Sequence, residues 1–228
     1  LGFIEGKRKQ GLKLDFIDLI IYKLLYNHSL MNNSILSHLA KLAFLLFAAG
    51  SIFAQPQAGR DYERIPEGLI TEPGITEVFG YWCPACYGFE QTVLEMKKRR
   101  PDIIINQIPA GGEMLARLYY TIQALGLGDE GHMNVYKYYQ IDRKPIRSSR
   151  DIQSFARKYG YDEEKFMTMY SSFSVGIKAK NATRLVNNLG NSGVFSGVPT
   201  VVINGKYKLN RTRDTELNIQ NMFYLYDR

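Results

Sequence analysis

The chain is poor in the residues that most often build reactive centres. Among its 228 residues are two cysteines, three histidines and one tryptophan. So few cysteines exclude a small fold held together by a dense disulfide framework. Only one histidine, His132, lies beyond residue 54. Two cysteines and one histidine fall short of the roughly four ligands that zinc requires. No metal and no organic cofactor is expected. Long apolar runs are scarce too. Leu42–Phe53 is interrupted by Gly50 and Ser51, and it is too short for a comfortable membrane span. Internal repeats and low-complexity segments are absent, so the fold is not assembled from repeated units.

What the chain has in quantity is core-forming material. Hydrophobic residues make up 45% and aromatic residues 13%, enough for a packed core and against global disorder. The formal net charge is +7, which raises a nucleic-acid reading. Beyond residue 54, however, 23 Lys and Arg face 19 Asp and Glu. The one basic run, Lys97-Lys98-Arg99-Arg100, ends a predicted helix, where cations suit the helix dipole. It reads as a solvated helix end, and no nucleic-acid partner is expected.

Met31 opens the segment "MNNSILSHLAKLAFLLFAAGSIFAQP". Lys41, the apolar run after it and the small residue Ala54 before Gln55 have the layout of a cleavable signal peptide over 31–54. An uncleaved membrane anchor is the competing reading. The segment has no cysteine, which excludes a lipoprotein anchor. Residues 1–30 read as an upstream extension that is not native, with translation from Met31, because a signal peptide works at an N-terminus. Export places the remainder, 55–228, where disulfides persist, with a bacterial periplasm as the natural destination.

Residues 55–73 are polar, carry Pro56, Pro66 and Pro73, and read as an extended lead-in. Ile75–Tyr81 is β-rich and bounded by Pro73-Gly74. Pro84 stands where a helix starts, a position at which its missing N–H loses nothing. Cys86, Phe89, Val93 and Met96 then fall on one helical face, and Pro101 closes the helix. Ile103-Ile104-Ile105 suits a strand buried on both faces. Helical spacing follows over Met114–Leu125, Gly131–Ile141, Ser148–Tyr159, Asp162–Phe173 and Val175–Leu189. The tyrosines of this block, Tyr119, Tyr120, Tyr136, Tyr138 and Tyr139, read as packing. Thr200–Ile203 returns to strand, Asn204-Gly205 is a strong hairpin signal, and Asp214–Tyr226 closes as a helix. The order is β–α–β, a helical block at about 110–190, then β–β–α. No linker isolates the block, so it reads as an insertion into a single α/β domain.

Both cysteines sit in "YWCPAC", at the first strand-to-helix junction. A cysteine attacks as thiolate, and a helix N-terminus favours that form. Cys83 occupies that position as the exposed nucleophile. Cys86, one turn in on the core side, is the resolving thiol. A purely structural disulfide across so short a loop would constrain little of the unfolded chain. A Cys–His hydrolase using His132 rests on a lone histidine. Thiol–disulfide exchange is the reading that remains. Pro199, in "GVPT" before a strand, is a candidate cis-proline; an ordinary trans proline starting the strand is the alternative.

The two segments "FGYWCPACYGFE" and "SGVPTVVINGKY", in this order and flanking a helical insertion, resemble the DsbA family of periplasmic thiol-disulfide oxidoreductases, within the thioredoxin superfamily. The similarity covers essentially all of residues 60–228. It implies a thioredoxin fold with an inserted all-helical subdomain. It implies that Cys83 is the nucleophile and Cys86 the resolving cysteine, with Pro199 the cis-proline. Val198, Trp82, Pro84 and Ala85 would then form the substrate-binding surface. Glu77, six residues before Cys83, matches a buried acid of the family. Alternation places it on the side shared with Ile75 and Phe79, where burial would raise its pKa and let it shuttle protons to the cysteines; an exposed strand acid is the alternative. Ala85 departs from the family, whose members typically have histidine there. Alanine offers neither charge nor donor, so a less stabilised Cys83 thiolate and a milder oxidant are expected.

The implied function is the introduction of disulfides into reduced or unfolded exported proteins by a monomeric periplasmic enzyme, re-oxidised by a membrane partner of the DsbB type. Two alternatives stay open. One is a thiol reductase, for instance in cytochrome c maturation. The other is a non-catalytic binder that holds unfolded chains in an apolar groove of the helical insertion.

Overall fold

The computed structural model describes residues 55–228. The expected extension over 1–30 and signal peptide over 31–54 lie outside the described residues.

The described residues fold around a five-stranded sheet of order β1-β5-β4-β2-β3. β1 is Tyr62–Arg64, β2 Ile75–Phe79, β3 Ile105–Pro109, β4 Thr200–Ile203 and β5 Tyr207–Leu209. β2 and β3 are parallel, and the other pairings are antiparallel. The helix α1, Pro84–Arg99, crosses from β2 to β3. Five helices then separate β3 from β4: α2 Glu113–Ala124, α3 Gly128–Gln140, α4 Ser149–Lys158, α5 Glu163–Ser171 and α6 Phe173–Asn191. α7, Thr215–Tyr226, ends the chain. This is the expected α/β architecture with a helical insertion.

The faces follow the period-2 alternation of strand side chains. Ile75, Val201 and Ile203 pack with Phe89, Val93 and Met96 of α1 and with Ile219, Met222 and Leu225 of α7. Val78 and Val202 face the other way, against Leu189 of α6. A third cluster joins the insertion to the sheet end. Leu115, Leu118, Ile122, Val135 and Tyr136 pack in it with Phe79, Tyr81 and both cysteines. The insertion therefore borders the cysteine site directly.

Two sequence expectations shift. The lead-in contains β1, which pairs antiparallel with β5. The isoleucine strand begins two residues late and lies at the sheet edge rather than between neighbours. A turn at Pro101-Asp102 keeps Ile103 and Ile104 out of the ladder. Ile103 tucks under α1 and α7, whereas Ile104 is 46% exposed. The run therefore alternates in burial instead of being covered on both sides. At the hairpin, Asn204 and Gly205 have φ of 51° and 63°, the pair of positive values that a type I′ turn requires.

Three of the four cations of the basic run at the end of α1 are held in ion pairs. Lys97 meets Asp129, Arg99 meets Glu95 and Glu216, and Arg100 meets Asp102 and Asp227.

Candidate active site

Cys83 is the N-cap of α1, and Pro84 opens the helix behind it. An N-cap side chain accepts the otherwise unpaired amides of the first turn. Here the cap is sulfur: the Cys86 backbone N–H donates to Cys83 Sγ at 3.2 Å. The Cys83 thiol donates in turn to the Val198 carbonyl oxygen at 3.4 Å. Val198–Pro199 is a cis peptide bond. The cysteine motif and the proline loop, 115 residues apart in sequence, thus meet at one sulfur.

Cys83 is less open than its role suggested, at 8% exposure. Val198 and the cluster shared with the insertion cover most of it. Cys86 is fully buried. Burial above all, and then its hydrogen bond with Cys83, pushes the Cys86 thiol well up from its ordinary value. The two sulfurs are therefore in unequal settings. Cys83 Sγ caps a helix and touches the Val198 carbonyl, whereas Cys86 lies buried where an anion is costly.

Trp82, Pro84 and Ala85 are exposed around the motif, and Val198 and Pro199 are half-buried. The Trp82 ring lies over Gly80, where an added Cβ would come within 2.8 Å of it. The same ring also approaches Gly111, whose φ of 91° excludes most side chains. These two glycines let a flat aromatic surface rest beside the cysteines while remaining 45% exposed.

Glu77 lies on the inward face of β2 and is fully buried. Its Oε2 accepts from Gln107 Nε2 at 3.0 Å, its register partner on β3. Its Oε1 has no hydrogen-bond partner among the described residues. Burial first, and then the charge of Glu90, pushes Glu77 up to about 8, against the opposing hydrogen bond from Gln107 and the charge of Arg211. Glu77 makes no hydrogen bond to either sulfur among the described residues, but its charge acts on Cys86 and raises that thiol further.

The hydrogen bonding of four polar residues of this region, Tyr81, Glu90, Gln107 and His132, escaped the sequence reading. Gln107 Nε2 also donates to Glu90 Oε1 at 2.8 Å. His132 Nε2 lies 3.1 Å from the same oxygen. The Tyr81 hydroxyl is 2.9 Å from His132 Nδ1. One signal was present. Glu90 stands one turn after Cys86, beside Phe89, on the face that α1 buries.

A family profile described as a DSBA-like thioredoxin domain matches residues 110–217. The thiol:disulfide interchange protein DsbA of Bordetella parapertussis is 31% identical, over 73% of this chain and 83% of the relative. The chain belongs to the DsbA family. Another DsbA, from Pseudomonas aeruginosa, is 28% identical over 78% of this chain and 86% of its own length. A crystal structure of Pseudomonas aeruginosa DsbA superposes with a TM-score of 0.65 at 27% identity, covering 75% of this chain and 93% of that one. Membership makes this chain a thiol-disulfide oxidoreductase with a thioredoxin-like fold and a helical insertion. In this chain the CxxC stands at a helix start, the cis Val198–Pro199 loop meets it at Cys83, and Ala85 is exposed between the cysteines.

Proposed function

We propose that this DsbA-family protein oxidises dithiols of exported proteins in the periplasm, with Cys83 as the attacked sulfur and Cys86 as the resolving one. The observation that carries this is the setting of Cys83 Sγ. It caps α1 by accepting the Cys86 N–H and touches the carbonyl of Val198, ahead of cis Pro199.

In the disulfide form, a substrate thiolate attacks Cys83 Sγ. The Cys83–Cys86 bond breaks, and its electron pair leaves with Cys86 as thiolate. Burial disfavours that anion, and protonated Glu77 supplies the proton that makes Cys86 a neutral thiol. The second substrate thiolate then attacks the substrate sulfur of the mixed disulfide and releases Cys83 as thiolate. Two electrons pass from substrate to the cysteine pair, and the substrate gains one disulfide.

Val198 and Pro199 offer backbone to the incoming strand, and Trp82, Pro84 and Ala85 form the rim it crosses. The signal-peptide layout over 31–54 supports export. Re-oxidation falls to a membrane partner of the DsbB type, and the enzyme acts as a monomer. Ala85 favours a second reading, a thiol reductase. An exposed alanine gives the Cys83 thiolate no charge and no hydrogen-bond donor, which weakens the driving force for oxidation.

The test is oxidation of a reduced dithiol peptide by the disulfide form of the protein, compared with Cys83→Ser. Loss of peptide oxidation with an unchanged far-UV spectrum is expected. Retained oxidation in Cys83→Ser overturns the assignment.

A further inference from the structure

Beneath the cysteines lies a chain of buried and half-buried polar groups, of which the exchange itself uses only Glu77. It runs from Tyr81 through His132 and Glu90 to Gln107 and Glu77. His132 belongs to α3 of the insertion, Glu90 to α1 and Tyr81 to the loop after β2.

The hydrogen bonds fix where the histidine proton sits. Among the described residues the buried Tyr81 hydroxyl has one partner, His132 Nδ1. A buried hydroxyl left without an acceptor is costly, so Tyr81 donates and Nδ1 accepts. The ring proton is then on Nε2, which faces Glu90 Oε1. The rings of Phe79, Tyr119 and Tyr136 enclose the imidazole edge-on and hold this orientation.

The two acids are therefore served unequally. Glu90 Oε1 accepts two N–H groups, from His132 and Gln107. Among the described residues Glu77 accepts one, and its other oxygen is unpartnered. Donors favour the ionised form of a carboxyl group, and two like charges bridged by one amide disfavour ionising both. One proton shared between them settles on the acid with fewer donors.

We infer that His132 is a positioning residue of the redox site: by donating Nε2–H to Glu90 it keeps that group a carboxylate and so keeps the shared proton on Glu77. The helical insertion, through this one side chain, sets the protonation of an acid on the central sheet. The upward shift of Glu77, caused in part by Glu90's charge, agrees with this. The other titratable groups facing the set are Cys86 and Tyr87 on α1, Tyr119 on α2, Tyr136 on α3 and Arg211 after β5, with Asp129, Glu130 and Lys137 of α3 lining a surface pocket that Glu90 borders. None of them forms a hydrogen bond to either acid among the described residues. The inference deepens the proposed function, since it concerns the proton that Glu77 gives to Cys86.

The test uses the whole reduced protein and NMR. Nitrogen-15 shifts of His132 in the wild type report its tautomer. Carbon-13 carboxyl shifts of Glu77 are followed against pH in wild type, His132→Phe and His132→Gln. A neutral Nε2–H tautomer is expected, with a Glu77 midpoint at about 8. That midpoint drops by about one unit in the phenylalanine variant and returns in the glutamine variant, whose amide can donate. An Nδ1–H tautomer, an imidazolium at neutral pH, or an unmoved midpoint in folded His132→Phe overturns the inference. A glutamine variant that behaves like phenylalanine also counts against the donor role. If the phenylalanine variant does not fold, the wild-type tautomer decides. Neither readout depends on turnover, so an inactive wild type would remove the functional proposal without touching this result.

Discussion

Replacing Glu77 by glutamine removes a buried acid and keeps its shape. In the folded protein Glu77 is pushed up to about 8 from its ordinary 4.5, by burial first and by the charge of Glu90 second. The unfolded chain therefore releases this proton near 4.5 while the folded protein holds it until about 8. Between those values the unfolded state binds fewer protons, so stability falls as pH rises. Each unit of difference corresponds to about 1.4 kcal/mol, and the loss across the window amounts to about 5 kcal/mol at most. Glutamine does not titrate. Its carbonyl can accept from Gln107 as Oε2 does, and its amide replaces the unpartnered Oε1. The two proteins should match in stability below 4.5 and diverge steadily towards 8, with Glu77→Gln the more stable. Urea midpoints of the dithiol form across this range measure the difference. Parallel pH profiles for the two proteins would refute the argument that Glu77 carries a proton into the folded core.

Ala85→His adds a charge and a donor beside the Cys83 thiolate. It should make the pair more oxidising by some tens of millivolts, read from equilibration with glutathione; an unchanged or more reducing pair contradicts the role given to position 85. Gly205→Ala places a Cβ against the Ile70 carbonyl oxygen at a φ of +63°. A loss of roughly 1–3 kcal/mol or more is expected in urea unfolding, and an unchanged midpoint would show that the turn tolerates a side chain.

Much of this site was visible in the residues themselves because its signals are local. Pro84 after Cys83 marks a helix start, and the structure makes Cys83 its cap. Asn204-Gly205 names its own turn, and both residues adopt the positive φ it needs. Alternation in β2 put Glu77 on the side of Ile75, and it is buried there. The misses depend on partners distant in sequence. Tyr62–Arg64 is a short charged tripeptide whose strand character comes from pairing with β5. The isoleucine run carries the right residues for a strand, but the turn before it sets where pairing begins. Tyr81 and Glu90 reach His132 across 51 and 42 residues, and Glu90 meets Gln107 across 17. A lone histidine gives no hint of such neighbours. The clue on offer was an acid on the buried face of α1, because a carboxylate is seldom buried without partners.

The equilibrium potential of the Cys83–Cys86 pair against glutathione tests the central claim most directly. A dithiol oxidase at this site should give a value more positive than about −200 mV. A value near about −270 mV, in the range of reducing thioredoxins, would contradict it and turn the direction of electron flow from oxidation to reduction.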